Sequence, residues 1–260
     1  MKDAAAPVKI WYQSFVDPQQ QAEYVRSLGE ALGALRDRET TCEIHGISPP
    51  DLELHRITEF RCAAQVLRNA VTAEQQGYDA FAIGHFQDGG LYEARATVGI
   101  PVLALGEASM LHACTLGQKI ALVTINPIFI PMHEEQVLRY GLRERIVGVK
   151  AITTNPSELV RAFNDAAVFD RVLRQFREQV QPLVDGGAEV IIPAGGLPVL
   201  LFSRLKNFTV GKAVVLNGIA VLLKMTEMAV KLHRLNGTIT SRASTFAQPS
   251  KQALREFLET

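Results

Sequence analysis

Gly77-Tyr78-Asp79-Ala80-Phe81-Ala82-Ile83-Gly84-His85-Phe86-Gln87-Asp88-Gly89-Gly90-Leu91 is the stretch on which the reading of this chain turns. The apolar run from Ala80 to Ile83 has the continuous hydrophobicity of a strand buried on both faces. It runs straight into a titratable side chain, His85, and then into a glycine-rich loop. Ligands of open parallel sheets bind beyond the carboxyl ends of the strands, which makes His85 a candidate for chemistry. A second apolar strand follows in Ile100-Pro101-Val102-Leu103-Ala104-Leu105 and ends in Gly106-Glu107-Ala108-Ser109.

Working outward, short apolar runs alternate with longer segments of helical period, the pattern of parallel strands joined by crossover helices. Strands are expected at Lys9 to Phe15, Thr41 to Ile47, Ala80 to His85, Val102 to Leu105, Ile120 to Ile125, Val147 to Thr153, Val190 to Pro193 and Ala213 to Leu216. Gln19 to Leu35, Thr58 to Gln76, Ile128 to Tyr140 and Val168 to Asp185 carry spaced apolar residues with charges on the opposite face and read as helices. The fold class is α/β, doubly wound.

A weak internal repeat doubles this unit. Gly77-Tyr-Asp-Ala-Phe-Ala-Ile-Gly-His85 aligns without gaps on Gly187-Ala-Glu-Val-Ile-Ile-Pro-Ala-Gly195. Val98-Gly99 followed by Gly106 recurs as Val210-Gly211 followed by Gly218. Two similar Rossmann-like, flavodoxin-like lobes related by a pseudo-twofold axis are therefore expected. Residues 1–116 with 219–260 would form the first and 117–218 the second, with His85 and Gly195 facing each other across the cleft. Chance matching of two strand sequences is the competing explanation of the repeat.

The Gly77 to Leu91 stretch, followed by Pro101-Val102-Leu103-Ala104-Leu105-Gly106-Glu107-Ala108, resembles the Asp/Glu/hydantoin racemase superfamily. The resemblance implies a cofactor-free enzyme in which two cysteines flank the carbon next to a carboxylate or ring carbonyl. One cysteine removes a proton and the other returns it on the opposite face. This chain departs at both places, with His85 at the first and Gly195 at the second, and Cys42, Cys62 and Cys114 fall at neither. A two-cysteine racemisation is therefore not expected. An imidazole titrates near neutrality and serves as general base or acid, so His85 is expected to be the single acid-base side chain, unless it only hydrogen-bonds a loop.

Other strand ends supply binding groups. Gln13 and Ser14 close the first strand, and Thr124 and Asn126 close its counterpart in the second lobe. The resemblance implies that these places grip the substrate, while helix capping explains the same residue types. Gly195 and Gly196 can bring backbone N–H groups to a developing oxyanion, or simply make a tight turn. Asp88 matches an aspartate that the resemblance implies to be a support, and Glu107 opens a helix, where a carboxylate is favoured by the macrodipole. Each is a candidate to orient His85 from behind.

Composition narrows the partners. Lys plus Arg equals Asp plus Glu at 27 each, which gives no electrostatic preference for nucleic acid or anionic membrane. The expected partner is a small carboxylate, hydantoin or imide, with the chain in a homo-oligomer. Three irregularly spaced cysteines, no CxxC pair and no signal-like apolar segment suggest a reduced, cytoplasmic protein. Neither His85 with Asp88 nor His133-Glu134-Glu135 has HExxH or HxH spacing, and GxxxxGK[ST], GxGxxG after the first strand and the Ser-x-Gly elbow are missing. No metal or cofactor is expected. The alternatives are a hydrolase of a small amide or imide in which His85 activates water, and a non-catalytic paralogue that binds a small acid. The segment from Asn236 to Thr260 is expected to cover the first lobe or a neighbouring subunit.

Overall fold

The computed structural model describes residues 6–51 and 53–259. Strands β1 (Val8–Gln13), β2 (Thr40–His45), β3 (Ala80–Ile83) and β4 (Val102–Ala104) form one all-parallel sheet in the order β2-β1-β3-β4. Strands β5 (Ile120–Thr124), β6 (Ile146–Ala151), β7 (Val190–Ala194), β8 (Thr209–Val210) and β9 (Ala213–Val215) form the other in the order β6-β5-β7-β9-β8. Apart from β8 the two sheets repeat one order, with β5, β6, β7 and β9 in the places of β1, β2, β3 and β4. The aligned repeats fall on β3 and β7, each the inner neighbour of the first strand of its sheet.

All eight expected strands are present, with ends shifted by at most two residues. The expectation missed β8, which pairs antiparallel with β9 through a turn that needs positive φ at Gly211. Two residues are too short to show a hydrophobic period, which is why this edge was not legible. Crossovers are made by α1 (Ala22–Leu35), α2 (Arg56–Gln75) and α3 (Leu91–Thr97), then α4 (Leu105–Ala113) leads out of the first sheet. In the second sheet they are α5 (Phe129–Arg139), α6 (Pro156–Arg161), α7 (Ala166–Asp185) and α8 (Gly196–Phe202). Helix α1 begins three residues later than expected because Asp17 accepts from the N–H groups of Gln19 and Gln20 and holds a turn there.

Strand alternation explains the core. Val8, Ile10 and Tyr12 of β1 and Ala80 and Ala82 of β3 join a large cluster continuous with the second sheet. Trp11, Phe81 and Ile83 face the other way, with Cys62, Val66 and Ala70 of α2. Both faces of the first sheet are thus covered, as parallel sheets require. Helix α9 (Gly218–Asn236), capped by Asn217 accepting from Ala220 N–H at 3.0 Å, leaves the second sheet and packs against α4, β3 and β1. Its buried Arg234 donates to Pro7 O at 2.9 Å and lies 3.0 Å from Asp79. The C-terminal segment covers the first sheet's side: Arg242 donates to Arg95 O at 2.7 Å, and Leu254 of α10 (Lys251–Glu259) packs on the α2 cluster. Among the described residues no helix is long and apolar enough to cross a membrane.

Candidate active site

Register brings the strand ends together. Gln13 stands opposite Ile83 in the first sheet, and Thr124 opposite Ala194 in the second. The residues just beyond, Ser14, Phe15, Gly84 and His85 on one side and Ile125, Asn126, Gly195 and Gly196 on the other, line a cavity of about 320 Å³. Tyr24 of α1, Asp51 and Phe129 of α5 complete the wall.

His85 is held by two contacts from outside its own loop. Its ring stacks on Phe15 with centroids 3.9 Å apart and planes 4° from parallel. Its Nε2 lies 3.0 and 2.9 Å from the two carboxylate oxygens of Glu59, in the first turn of α2. Burial by itself would raise the Glu59 carboxyl; the charge and hydrogen bond of His85, with Asp51 and His133 nearby, outweigh it and hold Glu59 below the usual carboxylate range. An ionised Glu59 takes the Nε2 proton as donor, which leaves Nδ1 with the lone pair in the neutral ring. Nδ1 makes no hydrogen bond among the described residues. A charged carboxylate behind an imidazole fixes its tautomer and stabilises the imidazolium once a proton is taken.

The expected site residues divide. Ser14 reaches the cavity, and its hydroxyl makes no hydrogen bond among the described residues. Asn126 also lines it, with Oδ1 accepting from Ile128 N–H at 3.1 Å. Gly195 precedes α8 at φ 156°, a conformation costly for an L side chain, and the Gly196 N–H belongs to a first helical turn that has no preceding carbonyl partner. Gln13 is a correction: it is fully buried on the Trp11 face of β1, accepts from Trp11 Nε1 at 3.0 Å and Asn69 Nδ2 at 2.8 Å, and donates to Ser14 O, His45 O and Gly46 O. The period of two turns Gln13 away from the cavity and Ser14 toward it. Thr124 is another correction: it ends β5 behind the cavity wall, with Oγ1 buried and unpartnered among the described residues.

Neither Asp88 nor Glu107 touches the His85 ring; Glu59 takes that place. Glu107 is instead paired with Arg95, 2.8 Å from Oε1 to Nη1, away from the cavity. Asp88 is a buttress. It accepts from Gly106 N–H at 2.8 Å, Glu107 N–H at 2.7 Å, Gln136 Nε2 at 3.1 Å and Tyr140 OH at 2.6 Å. Gly106 must be glycine for this, since a Cβ there would lie 2.2 Å from Phe86 O. Gln136 and Tyr140 belong to the α5 region, so the His85 loop is fastened to the opposite sheet's helix.

His133 extends that network. Its Nδ1–H donates to Gln136 Oε1 at 2.7 Å, while Nε2 is buried without a partner among the described residues. Burial pushes the imidazole down to about 4 from 6.5. The unfolded chain therefore binds the extra proton in this window, and the stability contributed by neutral His133 is present above 6.5 and lost as pH falls toward 4, about 3 kcal/mol in all. His133→Asn is expected to lose that component, read as the wild-type minus mutant difference in urea unfolding between pH 4.5 and 7. His133 does not join Glu134 and Glu135 as a ligand set: Glu135 faces out to pair with Arg56. Among the described residues no group of three or more His, Cys, Asp or Glu is arranged to hold a metal ion.

Sequence reading does not single out Glu59, which backs His85, or Tyr24, which lines the cavity. Glu59 looked like an ordinary acidic first-turn residue, and Tyr24 like one apolar position among Tyr24, Leu28 and Leu32 on the buried face of α1. None of the three cysteines lines the cavity, and burial pushes the Cys42 thiol up to about 12 and the Cys62 thiol up to about 11.

Comparison with known proteins bears on the family and the fold. The family model described as Asp/Glu/Hydantoin racemase matches residues 15–226. A hydantoin racemase of Pseudomonas sp. (strain NS671) is 27% identical over 195 residues, covering 75% of this chain and 74% of that protein. One of Rhizobium meliloti is 28% identical over 180 residues, covering 69% and 70%. Among solved structures, allantoin racemase from Klebsiella pneumoniae superposes with a TM-score of 0.76 at 23% identity over 94% of each chain. Glutamate racemase from Thermus thermophilus superposes with a TM-score of 0.60 at 15% identity, over 99% of this chain and 93% of that one. At these identities the structures establish the shared two-lobe fold.

Proposed function

The chain belongs to the Asp/Glu/hydantoin racemase family, and from that premise we propose that it is a cofactor-independent enzyme acting at carbon next to a carboxylate or cyclic amide carbonyl, with His85 as its acid-base side chain. The observation that carries this reading is the His85–Glu59 pair at the cavity, facing a wall whose corresponding residue is Gly195. His85 Nδ1 takes the proton from the substrate carbon. The negative charge passes to the carbonyl oxygen, and the Gly195–Gly196 backbone stabilises it there. Ser14 Oγ and the Asn126 amide hold the carboxylate or imide. The imidazolium, balanced by Glu59, then returns its proton. Because Gly195 offers no titratable group, removal and return are expected from one face, in contrast to a two-cysteine racemisation.

A second reading shares the same pair. A carboxylate-backed imidazole also activates water against a carbonyl, so opening of a small amide or imide is the competing outcome.

The test is NMR in D₂O of the protein with hydantoins, amino acids, substituted malonates and cyclic imides, alongside His85→Ala. Deuterium at an α-carbon or release of CO₂ in the wild type, absent from His85→Ala, is the expected result. Ring opening with solvent oxygen incorporated and no α-exchange selects the hydrolase. Equal reaction in both proteins removes His85 from the chemistry.

A further inference from the structure

We infer that Tyr24 is a catalytic residue of this site, its phenolic O–H donating to the substrate oxygen that becomes negative at the Gly195–Gly196 wall. The inference rests on the acid-base reading above and adds a side-chain donor to the backbone groups of that reading. Tyr24 reaches the cavity from α1, a helix of the first lobe, yet its hydroxyl stands against the second lobe's backbone: a Cβ on Gly196 would lie 2.8 Å from Tyr24 Oη. A glycine at 196 is therefore what admits the phenol to this wall. The side chain is 9% exposed, and its hydroxyl makes no hydrogen bond among the described residues. A phenol whose body is packed and whose hydroxyl opens on a cavity without a protein partner keeps its O–H free to donate to a ligand oxygen.

The choice between donating a hydrogen bond and giving up the proton follows from the surroundings. Burial raises the Tyr24 phenol far above its ordinary value, and no cation offsets that effect. Transfer of its proton to carbon would leave an unpaired phenolate in an apolar wall. A hydrogen bond to an enolate oxygen keeps the proton on Tyr24 and places the donor where charge develops, the arrangement that lowers the barrier in oxyanion sites. The oxygen recognised is that of a planar enolate, of a cyclic imide or of a carboxylate-bearing carbon. His85 on the facing wall keeps the proton-transfer role.

The experiment is calorimetric titration of barbiturate, a planar imide anion with in-plane oxygens, into wild type and Tyr24→Phe. One lost charge-assisted hydrogen bond is expected to weaken binding about 10- to 100-fold. The melting temperature should not change, since the hydroxyl holds nothing in the free protein. Gly196→Ala, whose methyl competes with Oη for the same space, is expected to weaken barbiturate in the same direction. Equal affinity of wild type and Tyr24→Phe, or no binding to the wild type, overturns the assignment. The α-deuteration assay separates the two ideas. Where the wild type exchanges, the rate in Tyr24→Phe should fall about 10²- to 10³-fold, and an unchanged rate overturns the donor while the acid-base reading stands. Weakened barbiturate binding in Tyr24→Phe with no exchange in the wild type keeps the donor and sinks the acid-base reading.

Discussion

Removing either member of the His85–Glu59 pair is expected to lower turnover about 10²- to 10⁴-fold, and removing both should cost little more than removing one. His85→Ala deletes the base. Glu59→Gln leaves His85 in place and the volume almost unchanged, but a neutral amide in place of the carboxylate 2.9 Å from Nε2 loses the charge that balances the imidazolium. The amide can also turn its NH₂ toward the ring, so that Nε2 accepts and the proton moves to Nδ1, the nitrogen needed as base. Phe15, stacked on the ring, keeps the imidazole in the cavity in both states, so the loss should appear in kcat rather than in folding. The measurement is initial rate on the fastest-reacting compound of the D₂O panel for wild type, both single variants and the double variant. Activity of Glu59→Gln within about tenfold of wild type, or fully multiplicative losses, would remove the pair as the acting unit.

Asp88→Ala is expected to cost about 3–5 kcal/mol of stability at pH 5, by leaving the N–H groups of Gly106 and Glu107, Gln136 Nε2 and the Tyr140 hydroxyl without their common hydrogen-bond partner. Burial is the largest influence on this carboxyl and pushes it up to about 7 from 3.8, against the pull of its donors. The folded protein therefore holds a proton that the unfolded chain has released. The stability tied to that proton is full below 3.8 and is lost as pH rises through 7, at about 1.4 kcal/mol per unit. The penalty of Asp88→Ala should accordingly shrink by about 2–3 kcal/mol between pH 5 and 8. Denaturant unfolding at the two pH values measures it, and a penalty that grows with pH would show that Asp88 is buried as the ion. Since the network joins the His85 loop to α5, the variant should also lose activity at temperatures where it remains folded.

His133 acts in the opposite sense over nearly the same window. As pH rises from 4 to 6.5 its contribution grows while that of Asp88 declines. The two are linked through Gln136, which accepts from one and donates to the other. Wild-type stability is thus expected to vary less with pH than that of either single variant.

Much of this molecule is legible from local pattern. Ala80 to Ile83 is apolar at every position because both faces of β3 are covered, and its counterpart Val190 to Ala194 is apolar for the same reason. The alignment of those two segments located His85 and Gly195, which line one cavity. Gln13 was misread although the period of two was available: it shares a face with Trp11, and that face meets α2.

Glu59, Tyr24 and the buttress on Asp88 were not legible, and the reason is physical. Hydrophobic periodicity reports which side of an element is buried, not which distant element it meets. Glu59 reaches His85 across 26 positions of chain, and Gln136 reaches Asp88 across 48. Helix-face chemistry at Glu59 is the same whether its carboxylate ends in water or against an imidazole. By itself, then, the sequence determined the doubly wound α/β fold, the repeated lobe and the histidine at a strand end, because these follow from local hydrophobic period and from a motif. Only the tertiary structure decided what surrounds that histidine: a carboxylate behind it, an aromatic ring beneath it and a phenol in the same cavity, each brought in by packing between elements far apart in the chain.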